Sequence, residues 1–120
     1  MKYLLMIYGN DETWDSFPTE ELHKMIAEQD AFNKEFFHTG ELLGAYGLAD
    51  VVAAKTVRVR EGAAAVTDGP YLESKEHLSS YYLLECENEA RALEIAARMP
   101  YSSIDAVELW PVLHDGSTKV

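Results

Sequence analysis

One cysteine and a shortage of basic residues set the first limits on this chain. With Cys86 alone there is no intramolecular disulfide, and its place inside an apolar run describes a buried, inert thiol. Nothing near it resembles the histidine partner of a catalytic cysteine. Lysine and arginine number 10 against 21 acidic residues, a net charge of −11. Such a surface repels phosphate backbones and disfavours nucleic acid as a partner. The one dense basic stretch, K-T-V-R-V-R over 55–60, alternates as a solvated strand face does. No run approaches the roughly 18 apolar residues of a membrane span, so no membrane association is expected. The apolar opening, Met1 to Tyr8, is too short for a signal peptide and lacks a small-residue cleavage site. It reads as a first strand, and the protein as cytoplasmic. No two histidines stand one helical turn apart and no carboxylate pairing completes a ligand set, so no metal is expected. A phosphate-cradling glycine loop and a Ser/His/Asp arrangement are also missing, which argues against kinases and hydrolases and gives no cofactor.

What is present is an ordinary globular balance, 48% hydrophobic and 26% charged over 120 residues. That length suits a single domain, residues 1–120, with two layers around one core. Residues 2–8 are apolar on both alternating faces, Tyr3, Leu5 and Ile7 against Leu4, Met6 and Tyr8. A polar loop carrying Trp14 follows, and then a helix from about 18 to 39. Pro18 sits at its start, Glu20 and Glu21 in its first turn, and Gly40 at its stop. Its stripe is Leu22, Met25, Ile26, Gln29, Phe32 and Phe36. Strands are predicted over 41–47, 55–60, 63–67, 79–86 and 107–112, those over 55–60 and 63–67 forming a hairpin about Glu61-Gly62. Asn88 is a good N-cap for a second helix over 89–98, with Ala92, Leu93, Ala96 and Ala97 as its buried stripe.

This order is the ferredoxin-like α+β plan with a β-hairpin inserted in its middle. Two helices cover one face of a four-stranded sheet, not both, yet the central strands are apolar on both sides. An uncovered face of that size is an association site. The expectation is therefore a homodimer through the sheet face, a dimeric α/β-barrel.

The stretch V-T-D-G-P-Y-L-E-S-K-E-H-L-S-S-Y-Y-L-L-E-C, Val66 to Cys86, carries a family resemblance. Further blocks extend it along the chain: K-Y-L-L-M-I-Y, G-E-L-L-G-A-Y-G-L, T-V-R-V-R-E-G, E-A-R-A-L-E-I-A-A-R-M-P and V-E-L-W-P-V. Together they resemble the YCII-related proteins, in the branch named for its D-G-P-F motif, here Asp68-Gly69-Pro70-Tyr71. The resemblance implies a dimeric α/β-barrel on a ferredoxin-like subunit. It also implies a regulatory association, since members of that branch tend to be encoded beside extracytoplasmic-function sigma factors. Shorter relatives place a histidine and an aspartate in a pocket, and one relative resembles a dehydrochlorinase acting on a chlorinated hydroxyquinol. Those two positions align near Gln29 and on Met99, neither of which exchanges a proton near neutral pH, so that chemistry does not carry over.

Several residues remain as candidates for a site. Asp68-Gly69-Pro70 shapes a turn on one reading, with the Asp side chain accepting from the backbone two residues on. On the other, Asp68 stands at a pocket mouth as a general base, with Gly69 and Pro70 against the ligand. Lys75, Glu76 and His77 form either a solvated charge cluster or a site in which Lys75 tunes a carboxylate and His77 carries a proton. Glu108 and Trp110 share one face of the last strand. If Val107 and Leu109 face the helices, that pair faces the dimer partner, and burial there would desolvate the Glu108 carboxylate. Tyr8, Met6 and Tyr82 could line the same cavity.

Three functions follow from these readings. The first is a small-molecule-binding homodimer with an accessory or regulatory role. The second is a cofactor-free lyase or isomerase abstracting a proton from an aromatic or quinone-like substrate, with Asp68, His77 or Glu108 as base. The third is a structural or protein-interaction module.

Overall fold

The computed structural model describes residues 1–117, for Asp11 only its backbone. Strand β1 (Lys2–Gly9) leads into a short helix α1 (Asp11–Asp15) and a long one, α2 (Thr19–Thr39). Then come β2 (Leu42–Gly47), the hairpin strands β3 (Lys55–Arg60) and β4 (Ala63–Asp68), β5 (His77–Glu85), helix α3 (Glu89–Arg98) and β6 (Val107–Pro111). Short 3-10 turns occupy Val51–Ala53 and Pro100–Ser103. Four strands form one antiparallel sheet in the order β2-β5-β1-β6, while β3 and β4 pair only with each other. The order is the ferredoxin-like one, and the hairpin is the insertion expected in its middle.

Alternation along β1 decides which face is covered. Tyr3, Leu5 and Ile7 are buried beneath α2 and α3, together with Tyr82 and Leu84 of β5, Phe32, Phe36, Ala92 and Ile95. Leu4, Met6 and Tyr8 point the other way and are only partly covered. The chain therefore roofs one face of its sheet and leaves the other bare, as the covering argument expects. The register lays two rows across that bare face: Tyr46-Tyr81-Met6-Glu108 and Gly44-Leu83-Leu4-Trp110. Tyr46 stacks near Tyr81, ring centroids 5.0 Å apart, and folds back over Gly44. A Cβ on Gly44 would stand only 2.5 Å from the Tyr46 hydroxyl, so a glycine here lets the ring lie flat.

Local chemistry explains the ends of the elements. Asn88 Oδ1 accepts from the Arg91 amide at 2.9 Å and caps α3, and Gly40 at φ 82° stops α2. Glu61 and Gly62 both take positive φ, 52° and 78°, as a two-residue hairpin turn of the favoured hand requires. Two expectations need correction. The Asn10–Ser16 segment is not a plain loop: Asn10 Oδ1 accepts from the Thr13 amide at 2.7 Å, and this cap starts a helical turn. In α3 the buried stripe runs through Ala92 and Ile95 and continues to Met99 at the C-cap, whereas Leu93 and Ala97 are exposed. The helix is rotated so that its only β-branched residue enters the core.

The second layer is tied to the first by Arg91 of α3, which grips Glu41 through two hydrogen bonds, Nε at 2.7 Å and Nη2 at 2.9 Å. That fork holds the Glu41 carboxyl below the usual carboxylate range, aided by the Thr39 hydroxyl and opposed by partial burial. A folded-state pKa below the unfolded one makes the contribution complete above the ordinary value of about 4.3 and lost as pH falls through the depressed one. Glu41→Gln should therefore lower stability at pH 7 and flatten the acid limb of a stability profile between about pH 5 and 3. Urea midpoints across that range check this, and a variant with an unchanged acid slope would contradict it.

Candidate functional site

The bare sheet face ends, near the hairpin root, in an open cavity of about 770 Å³. Tyr8, Leu78 and Glu108 contribute from the sheet, Leu48 to Val51, Ala53 and Ala54 from the β2–β3 connection, and Pro70, Tyr71, Leu72, Glu76 and His77 from the segment after the hairpin. Most of its surface is apolar. A β-bulge between Ile7 and Tyr8 makes this possible by pairing Tyr8 with Leu78 and Gly9 with His77. Strand β5 consequently begins at His77, two residues earlier than the sequence pattern suggests. A second, more polar cavity of about 340 Å³ adjoins it, sharing His77, Asp50, Leu48 and Leu78 and adding Asn10, Trp14, Lys75 and Ser79.

Each wall is fixed by its own backbone hydrogen bonds. Asp50 Oδ1 accepts from the Val52 amide at 3.2 Å and so starts the 3-10 turn of Val51–Ala53. The Gly69 amide donates to the Ala54 carbonyl at 2.8 Å, and Thr56 Oγ1 donates to the Gly69 carbonyl at 2.8 Å. These two bonds close the hairpin root, and they need Gly69 at φ 92°, a left-handed conformation costly to any other residue. Asn10 both caps α1 and donates through Nδ2 to Glu76 Oε1 at 2.8 Å, pinning the segment before β5 to the end of β1. Trp14 packs against Tyr101, centroids 5.4 Å apart, and close against Gly9, where a Cβ would meet its indole nitrogen at 2.9 Å.

The candidates named from sequence divide into four groups. Tyr8, Pro70, His77 and Glu108 meet around the large cavity, and Lys75 lines the adjoining one. Gln29 and Tyr82 lie on the opposite, helix-covered side, around a pocket of about 170 Å³ with Trp14, Ser80, Pro100 and Tyr101. Burial pushes the phenols of Tyr82 and Tyr101 up, and Gln29 spends its amide on Asn33 at 2.9 Å. Met99, the neighbour of Pro100, is buried in the core. Trp110 stands on the bare face, where its indole donates to Glu108 Oε1 at 3.0 Å. Asp68 and Gly69 line none of these cavities. The Asp68 carboxylate is 85% exposed and pairs with Lys55 across the hairpin. The turn role foreseen for Asp68 takes a different form, because the residue two positions on is Pro70, which has no N–H to offer. Its partner is the opposite strand.

Sequence reasoning passed over Leu48, Asp50, Val51, Tyr71 and Leu72, all of which line the large cavity. The available signal was the Asp50 cap two residues before Val52, in a connection that otherwise reads as featureless. Cys86 is buried and its thiol is pushed up mainly by that burial, the inert group expected. Among the described residues no group of three His, Cys, Asp or Glu side chains is placed to hold a metal ion, and no helix is long and apolar enough to cross a membrane.

Comparison with known proteins adds the family. The YCII-related domain model matches residues 1–114. The chain belongs to the YCII-related family. An uncharacterised protein of Rhizobium meliloti (strain 1021) is 29% identical over 96 residues, 80% of this chain and 77% of the relative. Among solved structures, the 5-chloro-2-hydroxyhydroquinone dehydrochlorinase of Burkholderia phenoliruptrix AC1100, in complex with 2,5-dihydroxybenzoquinone, superposes with a TM-score of 0.55. That match spans 99% of this chain and all of the other at 11% identity. A likeness at so low an identity is one of fold: an α+β, ferredoxin-like subunit.

Proposed function

We propose that this YCII-related protein is a homodimer that binds an apolar or aromatic small molecule in the cavity between its bare sheet face and the hairpin root. The observation that carries the reading is the cavity itself. It is about 770 Å³ and mostly apolar, and it holds a small set of convergent polar groups, Tyr8, His77, Glu76 and Glu108. That is the usual anatomy of a small-molecule site. The bare face beside it presents Leu4, Met6, Tyr46, Tyr81, Leu83 and Trp110, and a second copy would cover it and roof the cavity. Tyr46 and Trp110 are about half exposed in the single chain, which is what an unpaired interface looks like. The solved neighbour holds a planar quinone, a ligand of the size and polarity this cavity suits. The role foreseen is accessory or regulatory.

A second reading is proton transfer on such a ligand, favoured by His77 and Glu108 lining one cavity. Asp68 has no part in it, since its carboxylate lies at the hairpin edge, paired with Lys55.

Titration with 2,5-dihydroxybenzoquinone and a panel of aromatic analogues, followed by quenching of Trp14 and Trp110, tests the binding site. Ala49 lines both chambers, so Ala49→Phe should fill them and weaken binding at least 10-fold while leaving the melting temperature unchanged. Wild-type protein that binds no member of the panel saturably, or a filled variant with unaltered affinity, would overturn the site. Glu108→Gln separates the two readings by turnover: a binder shows none in either form, whereas an enzyme turns the ligand over as wild type and loses that turnover in the variant.

A further inference from the structure

The β3–β4 hairpin leaves the body of the molecule as an arm. Its strands pair only with each other, and every residue of β4 is exposed. The radius of gyration, 16.7 Å, exceeds the about 14 Å of a compact chain of this length, and the molecule spreads over 48 × 47 Å with a thickness of only 19 Å. An isolated two-stranded hairpin is marginal in water and needs a surface to pack on. The register gives this arm two different faces. One carries Val57, Val59, Ala64 and Val66, and its valines are 61–68% exposed. The other carries Arg58 and Arg60, and among the described residues neither forms an ion pair with a carboxylate of its own chain. The basic arm therefore belongs to a chain that has 21 acidic residues to 10 basic ones.

We infer that this arm docks on a second copy of the chain, its valine face on the partner beside the paired sheets and its arginines toward the partner's carboxylates. A second copy offers both things the arm needs, exposed apolar side chains such as Leu48 beside the sheet face and an excess of carboxylates, and two-fold symmetry satisfies both arms at once. The root of the arm, Ala53, Ala54, Pro70 and Tyr71, is also a wall of the cavity. Arg58 lies over the Tyr71 ring at 5.5 Å and links arm to wall, so docking the arm steadies that side of the site. The inference rests on the homodimer proposed above and adds which segment holds it together.

Sedimentation equilibrium of the full chain tests it with two variants, Val57→Asp/Val59→Asp and Arg58→Glu/Arg60→Glu. Both change exposed side chains, and far-UV circular dichroism and melting temperature at low concentration report the fold. The expected result is a wild-type dimer whose dissociation constant rises at least 30-fold in the valine variant and at least 5-fold in the arginine variant. A dimer equally tight in both variants overturns the arm while leaving the dimer standing, and assigns the valine face to some other partner. A monomeric wild type at micromolar concentration overturns the dimer and the arm together.

Discussion

Replacing Phe36 with alanine should cost about 3–5 kcal/mol of stability, the range for truncating a fully buried phenylalanine. The ring has no exposed surface, and it contacts Phe32 one turn earlier at a centroid distance of 4.8 Å. On its outer side two guanidinium groups lie over it, Arg98 at 4.9 Å and Arg91 at 5.8 Å. Each arginine is aimed by a carboxylate, Arg91 by Glu41 and Arg98 by Glu35. Truncation leaves a void beneath both cations and removes the surface that aligns them, so more than transfer free energy is lost. Against a typical total of about 5–15 kcal/mol, such a loss leaves a protein that is partly unfolded at moderate temperature. Urea unfolding measures it, with Phe36→Leu as the control that keeps most of the volume and should lose far less. A loss under about 1 kcal/mol for Phe36→Ala would mean that α2 is not anchored through this residue.

The reason Phe36 was legible from sequence while other core residues were not is the length of its helix. Twenty-one residues of α2 give the apolar period several turns in which to repeat, and Phe32 and Phe36 sit at its most consistent positions. Helix α3 has ten residues and four alanines, so its stripe is ambiguous by one position, and Ile95 was left out of it. Strands β1 and β5 were readable for the opposite reason: both of their faces are apolar, which only a central strand tolerates. The five-residue α1 has no periodicity at all. It exists because Asn10 caps it and because Trp14 finds Tyr101, a contact 87 positions away that no local pattern encodes.

The cavity was less legible than the fold, and the residues say why. Tyr8 and Glu108 were placed by strand alternation, which is a local rule. His77 was treated as part of a loop because the bulge at Ile7–Tyr8 shifts the register by one residue and draws it into β5. Asp68 drew attention through its motif, yet the motif closes the hairpin root: Gly69 binds Ala54 and Thr56, and the Asp68 side chain turns outward to Lys55. The wall from Leu48 to Ala54 has neither periodicity nor motif. It becomes part of a site only because the β2–β3 connection is folded over the end of β1.

A carboxylate at Leu4 should turn the proposed dimer into a folded monomer. Leu4 is central on the bare face, flanked across the strands by Leu83 and Trp110, so an aspartate there meets the same surface of the partner in a two-fold pairing. In the monomer the position is only partly covered, and water can still reach the new charge. Between two sheets it would be desolvated twice per dimer without a cation opposite, a cost of at least about 3 kcal/mol. That corresponds to a dissociation constant raised by roughly 100-fold or more. Leu4→Asp should thus sediment as a monomer at micromolar concentration while its helical circular dichroism stays native. Leu22→Asp, on the helix side and away from the bare face, serves as the comparison that should leave the dimer intact. If Leu4→Asp and wild type sediment alike as dimers, the copies meet elsewhere, and the cavity has no roof from the sheet of a second chain.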